Sequence, residues 1–318
     1  MEGVSNPMQA SILICTRNRA EMLDGVLSSL VAADRAPSLA WEVVVCDNGS
    51  TDDTIAVAAG YADRLPLRIV ECPMPGIGRA RNTAIEAAQG RWLVLLDDDV
   101  IVEREWLVEL LAACERDDDA AFVGGRIDAQ FDAIPDRLVR LAFPHVQNYF
   151  SILPASAMSA PPGVEQLPYA ANLALRHDWA RRHPFDPRIG YQPGMPASAG
   201  EETDVLTRMI AAGGRGAWAP DAVVRHRLPA YRVRVGWLLQ RLRGAAVEAV
   251  ALGIRPGRGA LFRIPLHLWL DIARFAGAAA MAAATLRVPT MLGRLAWLYQ
   301  RIWTAYFARH AALAASRS

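Results

Sequence analysis

The chain has 318 residues, is 53% hydrophobic and carries a net charge of +1. This length and apolar content are sufficient for one large domain, or for one domain with an appendage. The sequence contains neither a low-complexity tract nor an internal repeat, and we expect no nucleic-acid partner.

The four cysteines lie far apart and show no CxxC or metal-binding spacing. Cys15, Cys46 and Cys72 end or follow apolar runs, as small buried residues of a reducing compartment do. Residues 1–10 lack the basic flank and apolar run of a signal peptide. We therefore expect a cytoplasmic location.

The charges are unevenly distributed along the chain. Residues 1–230 contain 21 arginines and 31 acidic residues, whereas residues 231–318 contain 13 arginines and two acidic residues. All 34 basic residues are arginine. The asymmetry predicts two domains with different partners, an acidic one at 1–230 and a basic, apolar one at 231–318.

Short runs of branched apolar residues alternate with segments of helical periodicity in the first half of the chain. Buried parallel strands have this composition. The predicted strands are 11–15, 41–46, 67–72, 91–96 and 120–127, with helices between them. The alternation predicts a doubly wound α/β fold, with a mainly parallel sheet that binds ligands at the carboxyl ends of its strands.

Polar clusters follow three of these strands, at 15–19, 46–54 and 97–99. In the last cluster, Asp97 and Asp99 would share one face of an extended segment, and Asp98 would point away. Two carboxylates so placed are suited to a hard cation such as Mg²⁺, which leaves other positions to phosphate oxygens. The alternative is an acidic helix N-terminus favoured by the helix dipole.

Two further segments carry candidate functional residues. The sequence "GEETDVLTRMIAAGG" at 200–214 predicts a helix that begins with Glu201 and Glu202, although acids at a helix start also complement its dipole. His226 follows an apolar strand at 215–229, where a packed or capping histidine is the alternative to a metal ligand. The connection 141–195, which precedes both segments, is long. Long connections are typical of functional loops.

Four segments together resemble the GT-A glycosyltransferases of glycosyltransferase family 2. They are "SILICTRNRAEMLDGVLSSL", "EVVVCDNGSTDDT", "GIGRARNTAIEAAQGRWLVLLDDDV" and "AGEETDVLTRMIAAGG". The resemblance covers residues 10–230 and implies a Rossmann-like GT-A fold. It also implies a nucleotide-sugar donor that binds through the first two loops and through a divalent ion, Mg²⁺ or Mn²⁺, held by a DxD motif.

The resemblance also implies a role for each matching residue. Nucleotide-sugar binding falls to Thr16, Arg17, Asp47, Arg81, Asn82, Asp97, Asp98 and Asn172. Asp99 is the implied metal ligand, with Asp97 and His226 as further candidates. The family commonly has Glu-Asp at the position of the catalytic base, where this chain has Glu201–Glu202. Glu202 is therefore the aligned base, and Glu201 is the second candidate.

Residues 235–318 predict three helices rich in Trp, Leu and Arg. The longest uncharged stretch, 275–286, has 12 residues, well below the ~20 that a membrane span requires. Such helices fit the anionic inner face of a cell membrane as a peripheral layer, and a helical cap on the catalytic domain is the alternative.

The sequence therefore predicts a metal-dependent, inverting glycosyltransferase that acts on a lipid-linked or saccharide acceptor in polysaccharide or glycolipid synthesis. A sugar-phosphate nucleotidyltransferase would have a glycine-rich, lysine-bearing loop after the first strand, and this chain has no lysine. An acyl-phosphate phosphatase would have its aspartates after the first strand rather than the fourth. A non-catalytic, membrane-associated binding module is the remaining alternative.

Overall fold

The computed structural model describes residues 8–33, 39–190, 200–251, 260–261 and 264–315. The strands within these ranges are β1 (Ala10–Thr16), β2 (Trp41–Asp47), β3 (Leu67–Glu71), β4 (Trp92–Leu95), β5 (Val100–Val102), β6 (Ala120–Phe131), β7 (Leu173–Arg176), β8 (Arg215–Leu228), β9 (Ala260–Leu261) and β10 (Ile264–Pro265). The helices are α1 (Ala20–Ala32), α2 (Thr54–Ala59), α3 (Ile77–Ala87), α4 (Trp106–Arg116), α5 (Arg137–Val146), α6 (His177–Arg182), α7 (Glu201–Ala211), α8 (Val235–Ala251), α9 (Leu266–Ala284) and α10 (Val288–Ala315).

Eight strands form one sheet in the order β3-β2-β1-β4-β7-β6-β8-β5. The first four are parallel neighbours; the apolar residues of β1, β2 and β4 are mostly buried, as predicted for branched runs between helices, and those of the edge strand β3 are partly buried. The predicted α/β architecture is thus confirmed. The strand β7 was not predicted: its four residues lie inside the long connection and pair antiparallel with both β4 and β6.

The sheet order determines which polar loops meet. Because β1, β2 and β4 are parallel neighbours, the loops that follow them emerge at one edge of the sheet. The short strand β5 pairs antiparallel with β8, with Val100 opposite His226. This pairing places the end of β8 beside the segment that follows β4.

The core beneath this edge is apolar. Leu93 and Leu95 of β4, Phe122 of β6, and Leu206 and Met209 of α7 belong to one buried cluster. The amphipathic pattern of α7 thus buries one helix face against the sheet, which places its first residues, two glutamates, at the sheet edge.

The described residues divide into two compact units. The first lies within Met1–Gln130, Ser151–Gly194 and Glu201–Arg227, and the second within Phe131–Phe150, Met195–Gly200 and Leu228–Ser318. The second unit contains the three predicted C-terminal helices, α8, α9 and α10, and also α5. Among the described helices, none combines the length and the apolar character needed to cross a membrane.

Candidate active site

The loops after β1 and β2 are tied to each other by hydrogen bonds. The side-chain oxygen of Asn18 accepts a bond from the backbone N–H of Thr51 at 2.7 Å, and Ser50 Oγ accepts one from the N–H of Asn18 at 2.9 Å. Asn18 adopts a left-handed conformation with φ of 52°, which asparagine tolerates better than most residues. The two predicted nucleotide-binding loops therefore form a single platform.

Thr16 and Asp47 are both buried in this platform. Thr16 Oγ1 donates a hydrogen bond to Asp98 at 2.8 Å. The Asp47 carboxylate accepts bonds from the backbone N–H groups of Gly49 and Ser50 at 3.2 and 3.1 Å. Asp47 thus shapes the turn after β2, while Arg17, partly buried, lies between Thr16 and the start of α1.

The three consecutive aspartates do not continue the strand. Asp98 and Asp99 form a turn between β4 and β5, and both are buried, whereas 38% of the Asp97 side chain is exposed. The predicted alternation, with Asp98 facing away from its neighbours, is therefore wrong. The turn rotates Asp98 inward, where it accepts the Thr16 hydrogen bond.

Arg19 joins two of these carboxylates. Its Nε lies 2.9 Å from Asp98 Oδ1, and its Nη2 lies 2.7 Å from Asp99 Oδ2. Sequence reasoning missed Arg19, although it occupies the N-cap position of α1. The helix dipole disfavours a cation at the N-terminus of a helix. An arginine at this end of α1 therefore indicates an anionic partner on another element.

His226 lies beside Asp99, as the resemblance implied. Its Nε2 is 3.2 Å from Asp99 Oδ1, and both side chains are buried. The pairing of β5 with β8 sets this distance, since the N–H of Arg227 also bonds to the backbone oxygen of Asp99 at 2.8 Å.

The possible metal ligands around Asp99 and His226 are few, but their types suit a transition metal. In the described part of the chain, no group of three or more His, Cys, Asp or Glu side chains is arranged to hold an ion. Asp99 nevertheless provides a carboxylate, which Mn²⁺ and Mg²⁺ sites use together with phosphate oxygens and water, and His226 provides an imidazole, which suits a transition metal such as Mn²⁺ better than Mg²⁺. The pair therefore fits an ion that arrives with a diphosphate. Asp97 instead lies 3.5 Å from Arg81 Nη2.

A second charged cluster surrounds Arg81, a buried residue of α3. Its Nη1 lies 2.5 Å from Glu201 Oε1 and 4.0 Å from Glu202 Oε2. The ring of Phe185 lies 5.3 Å from the guanidinium carbon. Through its two terminal nitrogens, Arg81 joins the aspartate cluster to the start of α7.

Burial shifts the protonation equilibria at this edge of the sheet. Burial raises the pKa of Glu202 to about 8, and the charge of Glu201 adds to the effect while Arg81 opposes it. Burial also raises the pKa of Asp98 to about 7, against the influence of Arg19. For Arg81, burial alone would lower the pKa, but the surrounding carboxylates, Glu201 first, raise it. Arg81 is therefore a permanent cation.

The two glutamates differ in their partners. Glu201 Oε1 is held by Arg81, whereas Glu201 Oε2 and Glu202 Oε2 are both buried and accept no hydrogen bond from the described residues. A buried carboxylate oxygen without a donor is a destabilising feature unless a ligand supplies one. Glu202 lies 4.0 Å from Arg81 rather than in hydrogen-bond contact with it, and its raised pKa favours uptake of a proton.

This geometry agrees with the comparisons by sequence. The family model "Glycosyl transferase family 2" matches residues 11–163. The succinoglycan biosynthesis protein ExoM of Rhizobium meliloti (strain 1021) is 31% identical over 240 residues, which are 74% of this chain and 72% of ExoM. The chain belongs to glycosyltransferase family 2. The resemblance expected from the sequence is confirmed, and the chain is a glycosyltransferase.

Solved structures show that this family 2 glycosyltransferase has the GT-A fold. A mannosyltransferase from Pyrobaculum calidifontis in complex with GDP-Man and Mn²⁺ superposes with a TM-score of 0.62 at 20% identity, over 97% of this chain and 87% of that one. Residues 1–349 of TarS from S. aureus in complex with UDP-GlcNAc give a TM-score of 0.51 at 16% identity, over 98% and 92% of the two chains.

Two asparagines that the resemblance placed near the donor have structural partners in this glycosyltransferase. Asn172 Oδ1 accepts a bond from the Trp106 indole at 2.9 Å, and its Nδ2 donates to the backbone oxygens of Arg126 and Ala222. Asn82 exchanges two hydrogen bonds, both of 2.9 Å, with the backbone of residue 185. Their amides are committed to the protein, so neither residue is carried into the proposed donor site.

Proposed function

We propose that this glycosyltransferase moves a sugar from a nucleotide sugar, in the first instance a UDP-sugar, to a hydroxyl of a lipid-linked or saccharide acceptor. The observation that supports this proposal is the position of Arg81, which contacts Asp97 on one side and Glu201 on the other. The residues proposed to bind the donor and the glutamates proposed as the catalytic base thereby meet at one sheet edge. ExoM is named for succinoglycan biosynthesis, which supports a role in polysaccharide or glycolipid assembly.

The donor end of the proposed site contains Arg19, Asp99 and His226. Asp99 and His226 would hold Mn²⁺ or Mg²⁺, and a bound cation would neutralise the charge that develops on the departing diphosphate. Thr16, Asp47 and the platform around them would hold the nucleoside. The guanidinium of Arg19 lies at the same carboxylates and is suited to a phosphate oxygen of the donor.

The acceptor end contains Glu202. Its carboxylate removes the proton from the acceptor hydroxyl while the hydroxyl oxygen attacks the anomeric carbon. The bond between that carbon and the diphosphate oxygen breaks in the same step, and the configuration of the sugar inverts. A base with a pKa of about 8 is well matched to this proton transfer, because its affinity for the proton is close to the working pH.

The second unit supports a proposed contact with an anionic membrane, at the inner face of the cell membrane. Large apolar side chains are exposed on its helices and in the turn after α9, namely Leu239, Leu270, Met281, Leu286, Leu295, Ile302 and Tyr306. The segment 231–318 also carries 13 arginines against two acidic residues. Exposed apolar side chains among arginines are typical of surfaces that bind anionic lipid.

A donor screen tests the proposed function. The protein is incubated with a series of UDP- and GDP-sugars and Mn²⁺, and released nucleotide is measured with and without a chelator. We expect turnover of a UDP-sugar that chelator abolishes, and NMR of the product should show an inverted anomeric centre. Turnover that persists in excess chelator would refute the metal role, and a retained configuration would refute the one-step displacement.

A further inference from the structure

The second unit contains an apolar groove of about 250 Å³ between α5, α8 and α10. Side chains from all three helices line it, among them Leu138, Ala142, Leu238, Leu239, Leu295 and Tyr299. Apart from the tyrosine hydroxyl, these side chains offer no polar group to a ligand. The groove is therefore suited to hydrocarbon.

The groove is open to solvent along its length. One leucine of each helix is substantially exposed: 51% for Leu138, 39% for Leu239 and 43% for Leu295. Burial of these leucines by a ligand would be favourable, because it removes apolar surface from water. Three such side chains around one groove indicate a surface that is stabilised by an occupant.

The helices around the groove carry a strong positive charge. Arg137 and Arg140 on α5 and Arg294 on α10 are exposed and lie within two positions of lining residues. The sequences of α5 and α10 contain no acidic residue, and α8 contains only Glu248. An occupant that combines hydrocarbon with negative charge complements both properties.

A second copy of the chain is a weaker candidate for this occupant. A two-fold dimer through the groove would bring the same arginines of both copies together, because a symmetric interface opposes a surface to itself. The resulting repulsion between like charges would oppose association. An anionic lipid headgroup has the opposite effect, since it neutralises these arginines.

We propose that this groove binds one acyl chain of an anionic membrane phospholipid, with its phosphate near the arginines of α5 and α10. The proposal rests on the membrane contact in the proposed function and adds a defined position for the lipid chain. An inserted chain would fix the second unit to the bilayer more firmly than adsorption of exposed side chains alone.

Photolabelling locates the occupant. The full chain is mixed with phosphatidylglycerol vesicles that contain a phosphatidylglycerol with a diazirine in the middle of its acyl chain, then irradiated, and the labelled residues are mapped by mass spectrometry. We expect label on α5, α8 and α10 and little label from the matched phosphatidylcholine probe. Label that is confined to α9 would contradict the proposal that the acyl chain lies in the groove.

Two leucine variants separate insertion from adsorption. Leu239→Asn removes a groove leucine, and Leu270→Asn removes an exposed leucine of α9 as the matched control. We expect Leu239→Asn to lower the labelling yield by about fivefold or more, and Leu270→Asn, which removes an adsorbing side chain outside the groove, to lower it by less than about twofold. Circular dichroism and donor-induced stabilisation should be the same in both variants. Equal labelling of the two variants would overturn the proposal.

Three further outcomes would also overturn it, in distinguishable ways. Failure of the unmodified protein to float with phosphatidylglycerol vesicles would remove the membrane contact itself. A dimer that light scattering detects and that Leu239→Asn dissociates would identify a second copy as the occupant. Displacement of the label by a polyprenyl phosphate at concentrations where phosphatidylglycerol has no effect would identify a different lipid.

Discussion

Nη1 of Arg81 lies 2.5 Å from Oε1 of Glu201, a residue 120 positions further along the chain. This ion pair joins α3 to the start of α7, whereas Oε2 of the neighbouring Glu202 lies farther from the same arginine, at 4.0 Å. The two adjacent glutamates therefore differ in their contact with the buried arginine, and the proposed proton acceptor is Glu202.

Loss of the Arg81 side chain should destabilise the fold. In Arg81→Gln, the buried carboxylate of Glu201 loses its cation, and removal of one partner from a buried pair costs about 3–5 kcal/mol. Urea denaturation measures the free energy of unfolding. The matched control Arg79→Gln changes a partly buried arginine of the same helix, whose Nη1 donates a hydrogen bond to the backbone oxygen of Pro75, and should stay within about 0.5 kcal/mol. Equal effects of the two substitutions would contradict the structural role of the ion pair.

Glu202→Gln and Glu201→Gln should have different kinetic effects. If Glu202 is the base, Glu202→Gln lowers kcat by about 10²–10⁴-fold and leaves the Kd of the donor unchanged, because only proton transfer is lost. Glu201→Gln should chiefly lower stability, since it removes the partner of Arg81. Kinetics together with donor titration by calorimetry separate these cases. A Glu202→Gln protein that retains full kcat would exclude this residue as the base.

The stability of the free protein should depend on pH through Glu202. Burial raises the pKa of this carboxyl from the ordinary value of 4.5 to about 8, so the folded state holds the proton more tightly than the unfolded state. Its contribution to stability is complete below pH 4.5 and is lost as the pH rises through 8. Glu202→Gln should therefore raise Tm at pH 8.5 and leave it nearly unchanged at pH 4.5. A Tm difference that is the same at both pH values would contradict the shifted pKa.

The proposed role of Asp99 as a metal ligand can be tested by a measurement that does not depend on catalysis. UDP and Mn²⁺ together should raise the Tm of the unmodified protein, because a ligand at 100 times its Kd stabilises the folded state by about 2.7 kcal/mol. Asp99→Asn should lose the part of this rise that depends on Mn²⁺. The control Asp118→Asn alters a carboxylate that is 77% exposed and should retain it. A full Mn²⁺ response in Asp99→Asn would exclude this residue as a ligand.

Arg19 should compete with the cation for the same carboxylates. In Arg19→Gln, Asp98 and Asp99 lose their nearest positive charge, so Mn²⁺ should bind up to about fivefold more tightly by calorimetry. The control Arg64→Gln removes an exposed arginine that lies over the ring of Tyr61 and should leave the affinity unchanged. Weaker Mn²⁺ binding in Arg19→Gln would show that this arginine organises the carboxylates for the ion instead of competing with it.

The sequence predicted the elements that carry the site because their signals are local. Branched apolar runs have the period and composition of buried strands, so β1, β2, β3 and β4 were found, and the polar loops after them were assigned to one edge. The strand β7 was missed because three apolar residues and an arginine within a long connection do not distinguish a strand from a loop. The turn at Asp98 was missed because the aspartates lie directly between two apolar runs, at 92–96 and 100–102, so that the strand pattern gave no sign of where the strand ends.

The amino-acid sequence alone thus determined the family, the parallel half of the sheet and the presence of acidic residues at its edge. Only the tertiary structure decided which charges meet. Arg19 contacts aspartates 79 and 80 positions away, and Asn172 is occupied by partners from three other elements. Such pairings depend on the order of strands in the sheet and on the turns between them. Spacing along the chain contains no information about either.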